Sequence, residues 1–555
     1  MNPVFESRYE WRRLPWPRIE REVFKLQRRI YQAAQRHDQR NVHRLQRLLC
    51  HSWYARLLSV RRVSQDNRGK RTAGIDGVCK LKDDERLDLA QRLDLRSKAK
   101  GVRRIWIAKP NSQQKRPLGI PVMAERAAQA WVKLALEPEW EARFEANSYG
   151  FRPGRNAHDA IAAIFNAIVH RPKYVLDADI AQCFDRIEHT QLLSKLNAPP
   201  WLSRPIRGWL KAGAWQQGEW YATSAGTPQG GVLSPLLANV ALHGMEQYLK
   251  AQFPAYSYSQ AGRRIRVLPI QVIRYADDFV VLHPDEQVIH RAKAALEAWL
   301  SQMGLQLKPS KTSIVHTLGA EGVDTGFDFL GFHIRQFPIN PRHKACGYKT
   351  IIKPSPIAMH RHYQQLRHLV RSHRGRAQQR LIASLNHSIQ GWSRYYSTVV
   401  SSQCFSRMDN QLRQLLLRWT KRQSGQNAHQ QMARYWGIDR GLGWSFCTPD
   451  NYRLIGHREM PIKRHIKVRQ SKSPFDGDWL YWAARRGWYP GTSTRVAQLL
   501  KRQEGRCSYC GQFFDAESVI EVHHRNRNRN DNSLKNLCAL HGHCHDRVHG
   551  EGGHP

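Results

Sequence analysis

The run VIRYADDFVVL, residues 272–282, sets two adjacent acids, Asp277 and Asp278, between apolar, strand-like segments. A second acidic cluster, KYVLDADIAQCFDRIEH at residues 173–189, reads as a strand that ends at Asp177 and Asp179. An isolated Asp at a strand end is ordinarily a cap or a turn former. Two such clusters invite a joint reading. Brought together, their carboxylates would hold two divalent cations about 3.5–4 Å apart, an arrangement that activates an attacking oxygen and stabilises a leaving one in phosphoryl transfer. Oxygen ligands select Mg²⁺, which keeps part of its water shell and accepts phosphate oxygens. Far downstream, CSYC at residues 507–510 forms a knuckle-type turn. Cys507 and Cys510 give two ligands of a tetrahedral zinc site, and such a site needs two more. Cys544 serves as the third. His541 is favoured as the fourth, with Cys538 and His543 as competitors.

The rest of the chain is strongly cationic. Its 88 Lys+Arg against 45 Asp+Glu give a net charge of +43 over 555 residues. Such a charge repels itself unless an anionic partner neutralises it; nucleic acid is the usual one, and an anionic membrane surface the plain alternative. No apolar run is long enough to span a bilayer, and the opening MNPVFESRYEWRR lacks the apolar region of a signal peptide. The ten cysteines are scattered except for the four between Cys507 and Cys544, which fits a reducing compartment with one local metal site. Residues 361–422 hold twelve Lys/Arg and one acid, Asp409, interleaved with GWSRYY at 391–396 and with Trp419. Cations beside stacking aromatics suit RNA or single strands; a solvated helix face is the alternative.

The elements that would carry these residues follow from periodicity. Residues 1–70 space apolar residues by three and four, as helices do. GKRTAGIDGV, 69–78, is a Gly-rich break. From there to about 345, strands and helices alternate, which predicts a mixed α/β domain. IIKPSPIAM, 351–359, reads as a linker, followed by a helical basic block to about 422. A basic, aromatic stretch and a compact Cys/His module complete the order.

These blocks resemble a known family. Around YADD stand GIDGV (74–78), RPLGIP (116–121), SYGFRPGRNAHDAI (148–161), DIAQCFDRIEH (179–189), GTPQGGVLSPLLANV (226–240), LKPSKT (307–312) and GFDFLGF (326–332). Their order is similar to that of the reverse transcriptases encoded by group II introns, and LNHSIQGWSRYYS (385–397) resembles the maturase, or X, domain of those proteins. The resemblance implies a multidomain α/β and α fold: a helical extension (1–70), right-hand fingers and palm (71–345), an α-helical thumb or X domain (346–445), a DNA-binding region (446–500) and a small zinc-bound HNH module of the ββα-metal type (501–555).

It also implies roles. Asp179, Asp277 and Asp278 match the acids that bind two Mg²⁺, Asp278 less directly. Asp177 shares the strand but is no ligand in the family, and Asp185 falls where the family has a structural Asp. Phe184 occupies the position that excludes a ribose 2′-hydroxyl. Gln229 lines the nucleotide pocket, and Lys311 is a candidate for the triphosphate. Lys115, Arg116 and Arg152 are candidates for template or triphosphate. A core Phe and a solvated Lys are the plain alternatives. Arg394, Tyr395 and Tyr396 lie on the expected RNA-binding surface. EVHH (521–524), Asn536 and LHGHCHDRVH (540–549) resemble an HNH endonuclease: His523, His545 and His549 would hold one divalent metal, with His545 and His549 on one helix face. His524 would be the general base, and Asn536 would support it.

The implied protein is an RNA-directed DNA polymerase and maturase that nicks target DNA for target-primed reverse transcription and intron mobility. Its partners would be group II intron RNA, target DNA and dNTPs, with no membrane. Its place would be the bacterial cytoplasm, nucleoid-associated on target DNA, or an organelle. The alternatives are a splicing factor whose polymerase has decayed and a domesticated or defence-associated reverse transcriptase.

Overall fold

The computed structural model describes residues 10–108, 115–254, 256–258, 264–266, 268–342, 346–422, 428–439, 443–469, 472–487, 492–514 and 518–550. Among these residues, no helix is long and apolar enough to cross a membrane.

The N-terminal helices Trp16–Gln35 and Gln39–His51 are amphipathic, burying Ile19, Val23 and Ile30 from the first and Val42, Leu45 and Leu49 from the second. With Trp53–Arg61 they pack on Met123–Arg143, a helix buried along most of its length. That helix contains Pro138, which has no N–H to offer the carbonyl of Leu134 one turn back. Gln27 Nε2 donates to that carbonyl at 3.0 Å instead. The sequence suggested an N-terminal helical extension over 1–70. The structure merges it with the α/β body into one core that runs from Trp11 to Leu307.

The central sheet has the order Ser313–His316, Tyr174–Asp179, Asp278–His283, Gln271–Tyr275, all antiparallel. Its side chains alternate between two cores, as the period of a strand requires. Leu176, Ala178, Val272, Phe279 and Val281 join the large core, where the helix Glu286–Ser301 packs. Val175, Ile273, Val280 and Leu282 face the helix Ala157–Ile168 and a three-stranded sheet, Phe327–Phe329, Phe332–Pro338 and Tyr348–Pro354. A third sheet of four short strands, from Lys115–Ile120 through Val102–Ala108 and Ala214–Gln216 to Glu219–Tyr221, projects beside the central one.

IIKPSPIAM is not a linker. Ile351 to Pro354 end a paired strand, and Pro356 opens the helix Pro356–Ser372 with Ser355 as its N-cap, accepting from Ala358 N. Proline at the first helical position mimics a linker in composition only. Residue 345 of the expected boundary at 345/346 lies outside the described residues, and the strands that flank it in the chain, Phe332–Pro338 and Tyr348–Pro354, pair with each other. Three long helices follow, Pro356–Ser372, Gln378–Tyr396 and Ser402–Thr420, around a core of Leu366, Leu381, Leu385, Leu412, Leu416 and Trp419.

The stretch expected to bind DNA runs back across the body. Buried Asp159 accepts hydrogen bonds from His465 Nε2 (2.9 Å), Val468 N (2.8 Å) and Arg485 Nη2 (2.6 Å). Phe24 of the first helix packs against Trp479, with ring centroids 4.4 Å apart. The Cys/His module is a hairpin, Ile520–His524 with Leu537–His541, followed by the helix Gly542–Gly550. It sits on the N-terminal helices. Asp546 accepts from Arg61 Nη2 (3.2 Å) and Gln65 Nε2 (2.6 Å), and His543 Nδ1 lies 3.3 Å from Glu20.

Arg152 does not face template or triphosphate. It pairs through Nε and Nη2 with both oxygens of Glu141 at 2.8 and 2.9 Å, and its Nη1 donates to the carbonyls of Glu145 and Ser148. Both side chains are about 1% exposed, so the guanidinium is sealed inside with four of its five N–H groups bonded there. Removing one partner of a buried pair strands the other charge, at a cost of about 3–5 kcal/mol. Arg152→Ala is therefore expected to lower the thermal midpoint sharply, and Glu141→Gln in the same background to restore part of the loss. A midpoint within a degree of the parent's would show that the pair contributes little.

Candidate active site

Two acidic clusters nearly a hundred residues apart in the chain become neighbours because their strands pair. Asp179 stands directly opposite Asp278 in the antiparallel register of Tyr174–Asp179 and Asp278–His283. Tyr275 pairs with Asp278 across the hairpin, which leaves Ala276 and Asp277 as a two-residue turn. Ala276 holds φ at +58°, a left-handed value that a non-glycine residue adopts at a cost of about 1–3 kcal/mol.

Buried hydrogen bonds hold the turn in that state. Arg274 donates from Nη1 to Asn239 Oδ1 (2.9 Å) and to the carbonyl of Ala276 (3.1 Å). Asn239 in turn donates to the carbonyl of Gly150 (2.8 Å). The segment around Gly150 runs along the hairpin, with Tyr149 N donating to Arg274 O and Arg274 N to Asn147 O, each at 2.9 Å. Gly150 lies so close to the turn that a Cβ there would collide with the backbone nitrogen of Ala276. Arg274, Asn239 and Gly150 were not singled out as functional from the sequence. A buried arginine between apolar strand residues was the available signal.

The site is electrostatically strained. Burial, reinforced by the neighbouring carboxylates, pushes Asp177 and Asp278 up to about 7 and Asp277 upward as well. Lys311 Nζ lies 2.6 Å from Asp179 Oδ2. Crowded, partly buried carboxylates beside a cation are a donor set that fits divalent metal; Asp179, Asp277 and Asp278 are the residues that would hold it. Asp185 accepts from Gln229 Nε2 at 3.3 and 3.4 Å, which orients Gln229. Gln229 O accepts from Gly119 N at 2.6 Å, so the strand Lys115–Ile120, with Lys115 and Arg116 exposed, runs beside Gln229. Gly230, at φ +111°, has no room for a Cβ, which would lie 2.6 Å from Gly119 O. Phe184 is half-buried beside Asp185, and its carbonyl accepts from Thr227 N at 2.6 Å.

Tyr395 and Tyr396 are not exposed stacking residues. Tyr396 is buried with its ring 5.0 Å from Phe332, while the Tyr395 hydroxyl donates to Leu330 O at 3.1 Å. Both lock the helix Gln378–Tyr396 to the three-stranded sheet, so packing replaces the expected RNA contact. Arg394 beside them is half-buried.

In the Cys/His module, one ligand atom each of Cys507, Cys510, His541 and Cys544 lies within 4.8 Å of the others. Tetrahedral zinc with sulfur and nitrogen ligands fits that spacing. Among the competitors, Cys538 and His543 stand outside the group, and His543 lies between Cys510 and Glu20. His523, His545 and His549 form a second such group. Burial, then the two neighbouring imidazoles, pushes His523 down to about 4, leaving it neutral and able to offer a lone pair. Among the described residues, His523 Nδ1 and His524 Nε2 are buried without a hydrogen-bond partner. Asn536 accepts from Asn526 N and donates to Asp531 O, which fixes the loop that follows His524.

The reverse transcriptase (RNA-dependent DNA polymerase) family matches residues 107–334, the N-terminal domain of reverse transcriptase residues 11–93, and the group II intron, maturase-specific domain residues 359–436. Protein YkfC of Escherichia coli (strain K12) is 30% identical over 348 residues, which cover 56% of this chain and 88% of that protein. Group II intron-encoded protein LtrA of Lactococcus lactis subsp. cremoris is 31% identical over 286 residues, 42% of this chain and 47% of LtrA, so the match spans about half of LtrA. Maturase-like protein 1 of Euglena gracilis is 28% identical over 338 residues, 58% of this chain and 64% of that protein. The Cys/His module lies beyond the three family ranges.

The crowding of the acids has a measurable consequence. Asp278→Asn removes one of several like charges. At pH 8 in EDTA it is expected to raise the melting temperature by about 1–3 °C, the scale of a stabilisation on the order of 1 kcal/mol in a large chain. Added Mg²⁺ should stabilise the parent more than the variant. A lower melting temperature for Asp278→Asn in EDTA would mean that Asp278 is held by favourable contacts and not crowded by its neighbours.

Proposed function

This chain belongs to the group II intron reverse transcriptase/maturase family, and from that premise we propose that it copies RNA into DNA, assists the splicing of its own intron RNA and carries that intron into target DNA. The observation that carries the polymerase reading is the register that sets Asp179 against Asp278, with Asp277 in the adjoining turn. Asp179 and Asp277 would hold two Mg²⁺, with Asp278 beside them. Bound there, Mg²⁺ supplies the charge that favours a deprotonated primer 3′-hydroxyl and neutralises the triphosphate. Gln229, oriented by Asp185, lines the site of the incoming dNTP. Lys311, paired with Asp179, would turn to the triphosphate. Lys115 and Arg116 offer cations beside Gln229, and Phe184 excludes a 2′-hydroxyl.

The helices from Pro356 to Thr420 and their arginines, Arg394 among them, would lie along the template–primer duplex and bind intron RNA. Phosphate contacts of that kind suit both roles, because they read the backbone of a helix and not its sequence.

For the Cys/His module we propose an HNH endonuclease. The support is the hairpin-then-helix order with two separate ligand groups. Cys507, Cys510, His541 and Cys544 would hold structural zinc; His523, His545 and His549 would hold a catalytic divalent metal. His524 would take a proton from the attacking water, and Asn536 would fix the loop behind it. A strand nicked there would provide the primer for copying the intron RNA, which is target-primed mobility.

Two measurements test this division of labour. Asp277→Ala with Asp278→Ala is expected to abolish cDNA synthesis in a Mg²⁺-dependent primer-extension assay on RNA while leaving intron splicing intact. Loss of splicing in a folded double variant would mean that the acids also organise the RNA-binding surface. Separately, His524→Ala is expected to stop DNA nicking while zinc content, read by atomic absorption, is retained; Cys507→Ala should lose zinc and melt the module. Wild-type nicking by His524→Ala would remove His524 as the base.

A further inference from the structure

Phe151 does not behave as an ordinary surface phenylalanine. It is 49% exposed, yet its backbone is fixed on both sides. Gly150 before it is pressed against the nitrogen of Ala276 in the acidic turn, and Arg152 after it is sealed in the core by Glu141 and two carbonyls. Between these anchors Phe151 holds φ at +59°, the left-handed region that suits glycine or asparagine. The chain thus turns one bulky ring outward, at a conformational cost, immediately beside the catalytic hairpin. The ring lands on Phe184: the centroids are 5.9 Å apart and the planes cross at 81°. Edge-to-face pairs of this kind fix the relative orientation of the two rings.

The backbone of Phe184 is itself held. Its carbonyl accepts from Thr227 N, and Gly226, whose Cβ would meet that carbonyl at 2.6 Å, packs against it. The Phe184 ring packs in part against the main core, and among the described residues Phe151 is the aromatic ring that meets it.

We propose that Phe151 is a positioning residue for sugar selection: it holds the Phe184 ring in the orientation that closes the nucleotide pocket to a 2′-hydroxyl. This rests on the polymerase reading above. The strained backbone ties the selecting ring to the metal-holding turn through Gly150 and Ala276, so pocket wall and catalytic acids keep one geometry.

The test is steady-state primer extension on an RNA template by the full chain, comparing kcat/KM for each dNTP with that for the matching ribonucleotide. Phe151→Ala is expected to lower the dNTP preference roughly three- to ten-fold, the scale of one aromatic pair, chiefly through a lower KM for the ribonucleotide. Phe151→Asn, which accepts the left-handed backbone without strain, should show the same loss, so the effect does not depend on a damaged loop. Phe151→Tyr should restore most of the preference. In a Phe184→Ala background, Phe151→Ala should add nothing, because the ring it orients is gone. A parental preference retained by both Phe151→Ala and Phe151→Asn overturns the proposal, as does a further loss in the Phe184→Ala background. If the parent extends no primer, the polymerase reading fails and this proposal with it; if the parent extends and only the Phe151 effects are missing, this proposal fails alone.

Discussion

Like charges held together with too little counter-charge govern this molecule. Three carboxylates, Asp179, Asp277 and Asp278, meet at the end of the central sheet, with Asp177 close behind, inside a protein of net charge +43. Each would be more stable apart and in water. They are held by the hydrogen-bond ladder between strands, by Arg274 bracing the turn carbonyl, and by Asn239 and Gly150 bracing the strand beside it. The surplus of positive charge elsewhere does not relieve the crowding, because exposed charges beyond about 10 Å are largely screened. Lys311 is the neighbour close enough to pair, and it engages Asp179.

Because the acids depend on backbone placement, the elements behind them must resist displacement. Buried polar staples do this. Arg152 with Glu141 fixes the segment that presses Gly150 on the turn, and Asp159, gathering His465, Val468 and Arg485, ties the 465–485 stretch to the helix that backs the sheet. Each staple joins residues that a hydrophobic core alone would leave free to slide. Apolar contacts are not directional, and a paired charge is. The domains named by analogy with a hand are therefore less separate than the metaphor suggests. The N-terminal helices and the central sheet share one core, and the three-stranded sheet bridges the expected boundary at 345/346.

Much of this was legible in the sequence where a local signal and a tertiary requirement agree. Alternating apolar residues around paired acids gave the strands of Tyr174–Asp179 and Asp278–His283, and helical periodicity gave the N-terminal layer and the basic helices. His541 was favoured over Cys538 and His543, and the side chains of Cys507, Cys510, His541 and Cys544 do converge. The misses share one cause: a side chain's partner, unlike its periodicity, is not written nearby. Arg152 looked like a free cation because Glu141 becomes its mate only once a helix end and a loop meet. Tyr395 and Tyr396 looked like stacking residues because the sheet that buries them is formed by strands earlier in the chain. Pro354 and Pro356 looked like a linker, though one ends a strand and the other begins a helix.

The contact between Asp546 and Arg61 spans 485 residues of chain. The Arg61 side chain is only 3% exposed in the finished fold, and it lies over the ring of Trp16 and next to Asp66 as well. During synthesis the N-terminal helices emerge long before the residues that complete their outer face. At roughly 5–20 residues per second, the ribosome needs about half a minute to a minute and a half to supply Asp546 after Arg61. For that interval Arg61 lacks its Asp546 partner. A contact of this span makes the outer face of the N-terminal helices depend on residues made much later in the chain.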